Sequence, residues 1–189
     1  TEIYTLSLHD ALPICPPQVV QDAVVNMHTH GIYGYFGDDS KYRAAIQWWM
    51  AERHGWELDP SHIFSTHGLV NGTAMCLDAF TVPGDGVVLF TPVYHAFAKV
   101  INASKRDLCE LEMTLEDGRY TLDFDAFDAQ MKGHEKMLVL CSPHNPGGRV
   151  WTQQELEGIA EFAKRHDLII VSRSEEHTSE LQSLINLVC

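Results

Sequence analysis

Basic residues are scarce: 13 Lys and Arg stand against 26 Asp and Glu, a formal net charge of −13. Nucleic-acid binding and polybasic attachment to a membrane both need cationic patches, so neither partner is expected. No apolar run approaches the roughly 20 residues that cross a bilayer, and no basic stretch leads into a hydrophobic one at the N-terminus, so no export signal is read. The five cysteines (Cys15, Cys76, Cys109, Cys141 and Cys189) stand far apart without a Cys-x-x-Cys. Their spacing and odd number argue against a disulfide framework and against a structural zinc site. The expected compartment is therefore the reducing cytoplasm. What is present is a chain of 189 residues, 45% of them hydrophobic, long enough for one core of the usual soluble α/β kind.

The two ends differ in character from the middle. "SLHDALPI" at 7–14 and "RSEEHTSELQSL" at 173–184 closely resemble translated sequencing-adapter read-through. Residues 1–14 and 173–189 are accordingly set aside, leaving one expected domain over 15–172. The terminal pieces hold Glu2, Asp10, Glu175, Glu176 and Glu180 against Arg173, a net of −4, so the remainder stays near −9 (−13 less −4) and still acidic.

Within that domain, helical and extended patterns alternate. Val19, Val20, Ala23, Val24 and Met27 recur at helical spacing behind Pro16 and Pro17, which predicts a helix over 16–27. "GIYGYFG" reads as a loop, and "DDSKYRAAIQWWMAERHG" as a capped helix ending at Gly55. "HIFSTHG" is predicted as a short strand, 69–80 as a helix, "VPGDG" as a turn and "VVLFTP" as a strand. Further on, "YHAFAKVINAS" predicts a helix, "DLCELEM" a strand, "LEDGRY" a turn and "DFDAFDAQMKG" a short helix. "KMLVLCS" and "LIIVS" are apolar strands on either side of a helix that opens with Thr152 and Glu155 in capping-box spacing. Nearly continuous apolar strands are buried on both faces, so the expected fold is α/β: a three-layer, mostly parallel sheet flanked by helices.

In such sheets ligands collect where strands run into the following helices, and three of these loops carry unusual chemistry. In "THGLVNGTAM", Gly68 precedes a helix start, so the N–H groups of Leu69 and Val70 are free to meet an anion such as phosphate; a plain turn would also use Gly68. In "TPVYHAF", Tyr94 follows Pro92 and offers a ring face and a hydroxyl, as would a tyrosine packed between helices. In "CSPHNPGGRVW", Pro143 and Pro146 brace Asn145, and Gly147 and Gly148 permit close approach; such an amide donates and accepts at once, or caps its own turn. "HTH" at 28–30 has no acidic or cysteine neighbours to complete a metal site, and no metal is predicted. The eleven histidines read as mostly solvated, and "TQQELEGIAEF" as a wet helix face.

Taken in order, "PPQVVQDAV", "GIYGYF", "WWMAERHGWELDPSHIFSTHG", "TPVYHAFAKVI", "GRYTLDFDAFD", "CSPHNPGGRVWTQQEL" and "LIIVS" resemble the fold type I pyridoxal-phosphate enzymes, specifically the aminotransferase-like cystathionine β-lyases of the MalY/PatB type. The resemblance implies pyridoxal 5'-phosphate as cofactor, an amino-acid substrate, and cleavage of a carbon–sulfur bond to pyruvate, ammonia and a thiol. Class I/II aminotransferase chemistry is the near alternative, and a non-catalytic fragment is a reading of another class. It assigns Asn145 to the cofactor's ring hydroxyl, Gly68, Leu69 and Val70 to its phosphate, and Tyr94 to stacking on its ring. It also gives Tyr33 or Tyr35 a reach toward a second subunit's phosphate, hence a homodimer. Relatives usually carry a proline where His67 stands. The resemblance further implies an aspartate after Ser172 that pairs with the ring nitrogen, and later a Schiff-base lysine and a substrate-binding arginine. Arg173 follows Ser172 instead, and none of Lys41, Lys99, Lys105, Lys132, Lys136 or Lys164 has the expected context, so no catalytic residue is assigned and this chain is expected to be inactive. A sheet cut before its remaining strands is expected to aggregate or pack loosely.

Overall fold

A computed structural model describes residues 16–35 and 37–174. They divide into two compact units, one ending at Lys41 and the other starting at Tyr42. The first unit holds helix α1 (Gln18–His30), which starts two residues after and ends three residues beyond the span the periodicity predicts, closed by Gly31 in the left-handed region. None of its residues is buried, although Val19, Val24 and Met27 repeat along one side.

Helix α2 (Ser40–His54) begins at the division, with Asp38 accepting from the Ser40 N–H at 2.9 Å. In the second unit Arg43 donates to the carbonyls of Pro60 and Ile63, both at 2.7 Å, and so holds α2 to a single 3₁₀ turn at Pro60–His62. The strand predicted at "HIFSTHG" does not form: 63–66 are irregular and Phe64 is 77% exposed. A short apolar run makes a strand only when a neighbour takes its backbone groups, and among the described residues none lies alongside.

The rest alternates as expected, except that the predicted turn at "LEDGRY" is the tip of a short hairpin: α3 (Leu69–Phe80), β1 (Gly86–Thr91), α4 (His95–Ala103), β2 (Asp107–Glu112), the hairpin β3 (Thr114–Glu116) and β4 (Arg119–Thr121), α5 (Phe124–Asp128), β5 (Glu135–Ser142), α6 (Gln153–Arg165) and β6 (Ile169–Ser174). Four strands form one parallel sheet in the order β2-β1-β5-β6. From Val87 and Met137 onward, side chains of β1 and β5 alternate between its faces. Val88, Phe90, Leu138, Leu140 and Ile170 pack with Phe127, Leu156, Ile159 and Phe162 of α5 and α6. Val87, Leu89, Met137, Val139 and Val171 pack with Leu77, Phe97 and Ile101 of α3 and α4. Each such side chain removed from water contributes about 1.5–3 kcal/mol, which is why central strands read as unbroken apolar runs. β2 departs from that expectation: it is an outer strand of the described sheet, and only Leu111 within it is buried.

From β1 the chain passes to α4 on one face and returns as β2; from β5 it passes to α6 on the other face and returns as β6. The two connections diverge between the carboxyl ends of β1 and β5, leaving a crevice there.

Candidate functional site

That crevice is bounded by two proline-containing loops, with cis peptide bonds at Thr91-Pro92, Ser142-Pro143 and Asn145-Pro146. The loops are tied together. His144 is buried, and its Nε2 lies 2.8 Å from the carbonyl of Pro92. A carbonyl only accepts, so Nε2 carries the proton. His144 Nδ1 is buried with no partner, as is the hydroxyl of Ser172 near the end of β6. The sequence reading of mostly solvated histidines is therefore corrected at His144; its packing against Trp151, at a ring separation of 5.4 Å, depends on contacts that no local pattern reveals.

Beneath the turn bearing Asn145, Trp151 is 1% exposed and its indole N–H donates to the carbonyl of Cys141 at 3.0 Å. The guanidinium of Arg149 lies over the Trp151 ring at 4.7 Å, donates to the Tyr120 carbonyl, and makes a two-pronged bond to Glu155 at 2.7 and 2.8 Å. Gly147 packs so closely that a Cβ there would meet His144 Cδ2 and Tyr120 Cδ2 at 3.0 Å. The backbone closes the turn through His144 N–H to Arg149 O at 2.6 Å and Gly148 N–H to His144 O at 2.7 Å. Asn145 stands exposed on this support. The predicted capping box at α6 is formed, with Glu155 accepting from the Thr152 N–H at 2.8 Å and Thr152 Oγ1 accepting from the Glu155 N–H at 3.3 Å.

Tyr94 is the N-cap residue of α4 and packs edge-on against Phe97, ring centroids 5.8 Å apart. Arg173, paired with Cys141 across β5 and β6, lies with its guanidinium 6.0 Å from the Tyr94 ring. β6 thus runs past Ser172, and an arginine occupies the position where the resemblance implies an aspartate.

Gly68 precedes α3 with φ +86 and ψ 160, a conformation that suits glycine. No side chain caps this start, and the first helical acceptance, Gly72 N–H to Gly68 O at 3.0 Å, leaves the N–H groups of Leu69 and Val70 without an intrahelical acceptor. α3 returns to the amino end of β1 through a short turn, so its 12 residues, about 18 Å of helix, run opposite to β1 and bring Gly68 to the carboxyl edge of the sheet. Topology therefore gathers Gly68, Leu69, Val70, Tyr94 and Asn145 on one edge. Tyr33 and Tyr35 lie in the first unit, both exposed. A separate hollow of about 650 Å³ opens over the carboxyl ends of β1 and β2, lined by Thr91, Pro92, His95, Glu112 and Tyr120 and by none of those five residues. Lys105, Lys132 and Lys136 stand at the opposite, amino edge of the sheet, and Lys164 in the last turn of the helix that leads back to it.

A family model described as aminotransferase class I and II matches residues 6–172. The chain is 34% identical over 171 residues to cystathionine beta-lyase PatB of Bacillus subtilis (strain 168), covering 86% of this chain and 44% of that one. Against protein MalY of Escherichia coli (strain K12) it is 30% identical over 145 residues, covering 76% and 37%. Among solved structures, cystalysin from Treponema denticola, which contains a pyridoxal 5'-phosphate cofactor, matches with a TM-score of 0.78 at 31% identity over 91% of this chain and 48% of that one. The PLP-bound C-S lyase from Staphylococcus hominis matches with a TM-score of 0.76 at 26% identity over 82% and 40%. The chain spans less than half the length of the curated relatives it matches.

Proposed function

The chain belongs to the class I and II aminotransferase family, a pyridoxal-phosphate-dependent family of lyases and aminotransferases, and from that premise we propose that the carboxyl edge of its sheet grips pyridoxal 5'-phosphate within a carbon–sulfur β-lyase of cystathionine type. One observation carries this reading: the uncapped start of α3 after Gly68 and the buttressed Asn145 turn share the edge where the β1 and β5 connections part. The residues fit the group. The N–H groups of Leu69 and Val70, at the positive end of a helix dipole, suit a phosphate dianion, and a Cβ placed on Gly68 would have no atom within 4 Å, so the approach is open.

Leu69 and Val70 hold the phosphate through backbone donors. Tyr94 presents its ring to the pyridine face, and Asn145 directs its side-chain N–H groups at the ring hydroxyl oxygen. His144 and Trp151 act through the turn they support, keeping the amide aimed and the crevice floor dry. When bound, the cofactor withdraws electrons from the α-carbon of an amino acid, which lets the α-proton and then a β-thiol leave. Arg173 gives the crevice a positive charge beside Tyr94. Lys105, Lys132, Lys136 and Lys164 stand away from this edge, and covalent attachment to a lysine of this chain is not part of the proposal.

Titration of the chain with pyridoxal 5'-phosphate tests the reading. The expected result is saturable binding by absorbance that Asn145→Ala weakens by about tenfold, the worth of one good hydrogen bond, with no stoichiometric borohydride-trapped adduct on a single lysine. Absence of binding, or indifference to Asn145→Ala, sinks it. An aminotransferase would use the same grip, since one ring chemistry serves both reactions. In the longer protein, release of pyruvate and thiol from cystathionine against formation of a keto acid distinguishes the two.

A further inference from the structure

At the amino edge of the sheet, opposite the crevice, three groups of different chemistry converge. The Sγ of Cys109 lies 3.3 Å from Glu135 Oε1, His134 Nδ1 lies 3.6 Å from the same oxygen, and all three ligand atoms fall within 4.8 Å of one another. We propose that Cys109, His134 and Glu135 bind a divalent cation of the zinc class, with Asp107 positioning the histidine. Tetrahedral zinc with ordinary Zn–S, Zn–N and Zn–O bonds spaces its ligands about 3.4–3.6 Å apart, and the two separations above, 3.3 and 3.6 Å, lie within about 0.1 Å of that spacing. A thiolate, an imidazole and a carboxylate are the donor set zinc takes, and three protein ligands leave the fourth position to water. The other imidazole nitrogen, Nε2, lies 3.4 Å from Asp107 Oδ2, the carboxylate–histidine pairing that orients metal-bound imidazoles.

The backbone is shaped to bring these groups together. Cys109 belongs to β2 and Glu135 to β5, with β1 between them. The residue of β1 at the crossing is Gly86, where a Cβ would meet Glu135 Cγ at 2.9 Å and His134 Nε2 at 3.2 Å. The β1–β5 register shifts between Gly86 and Val87, a bulge of the kind that re-aims a side chain. Accordingly Glu135 reaches Cys109, which packs with the α5–α6 face, while Met137 joins the α3–α4 face. Glu135 is 2% exposed, and among the described residues no lysine or arginine forms a salt bridge with it. Its oxygens accept from the backbone N–H groups of Lys132, Gly133 and Glu135 itself and from the Cys109 thiol. A buried carboxylate flanked by neutral donors is a place where a cation gains most. On binding, the ion replaces the thiol proton, which leaves to solvent past the half-exposed His134.

Co²⁺ added to the purified chain is the probe. The expected result is a thiolate-to-cobalt charge-transfer band saturating at one equivalent, removed by Zn²⁺, abolished by Cys109→Ser and unchanged by Cys76→Ser. His134→Gln is expected to lower Co²⁺ affinity at least tenfold, and Asp107→Asn by about 10–100-fold, as for other orienting carboxylates. No band in the parent chain, or a band that survives Cys109→Ser, overturns the proposal. If Cys109→Ser does not fold, His134→Gln and Asp107→Asn, which alter half-exposed or exposed side chains, decide it: unchanged affinity in both overturns it.

Discussion

The carboxyl end of α3 is closed by Arg106, whereas at its amino end, after Gly68, no side chain caps the first N–H groups. Arg106 is 7% exposed and spends all five of its N–H donors: on the carbonyls of Leu77 and Thr81, the Thr81 hydroxyl, the carbonyl of Ser104 below α4, and Asp78. A cation at two helix carboxyl ends satisfies both orphaned carbonyls and dipole. The start of the same helix keeps unshared donors facing solvent. One end is built to hold the fold and the other to meet a ligand, so variants at the two ends should separate stability from binding.

Arg106→Ala gives the largest expected effect. It strands buried carbonyls at the ends of α3 and α4, at a cost of about 3–5 kcal/mol in denaturant unfolding, yet pyridoxal phosphate affinity should stay within about twofold under conditions where the variant is folded. A large loss of affinity there would erase the distinction between the ends. Next comes Trp151→Phe, which leaves the Cys141 carbonyl without its donor and thins the packing under His144. The expected loss is about 1–3 kcal/mol, and because Asn145 rides on this support, affinity should fall too. Gly68→Ala comes third. Its φ of +86 suits glycine, so about 1 kcal/mol of stability is expected to go, while cofactor and inorganic phosphate binding both weaken as the α3 start shifts.

The closed features were easier to read from sequence than the open ones. Thr152 and Glu155 are three residues apart and cap α6 using only each other, and the strands around Val88 and Val139 announce themselves because burial on both faces demands continuous apolar residues. The loops holding Gly68, Tyr94 and Asn145 could be singled out by their residue types, but their placement on one edge follows from strand order, which no local pattern encodes. Arg106 with Thr81, His144 with Pro92 and Cys109 with Glu135 join residues 25, 52 and 26 apart, so their partners become visible only after folding. The run at 63–66 misled for the same reason: apolar residues identify a segment that could be a strand, and only a neighbour makes it one.

The smallest expected effect is a tilt of stability with pH, and it concerns the closed start of α6. Partial burial works against the charge on Glu155. The Thr152 N–H, the Arg149 guanidinium and the Thr152 hydroxyl together outweigh it, so the carboxyl sits below its ordinary 4.5. A pKa lower in the folded than in the unfolded chain means the folded form binds fewer protons, so the stabilisation is complete above the ordinary value and fades as pH falls through the folded one. Thermal unfolding followed from neutral pH down through that range should therefore show an acid limb that Glu155→Gln flattens. Arg149 joins the same carboxylate to the Tyr120 carbonyl and the Trp151 ring under Asn145, so acidification should loosen the amide's support before it disturbs the backbone donors after Gly68, which have no titrating partner of their own. Cofactor analogues lacking the ring hydroxyl should then lose less affinity on acidification than analogues lacking the phosphate. Equal pH sensitivity of both would mean that the two halves of the grip share one support.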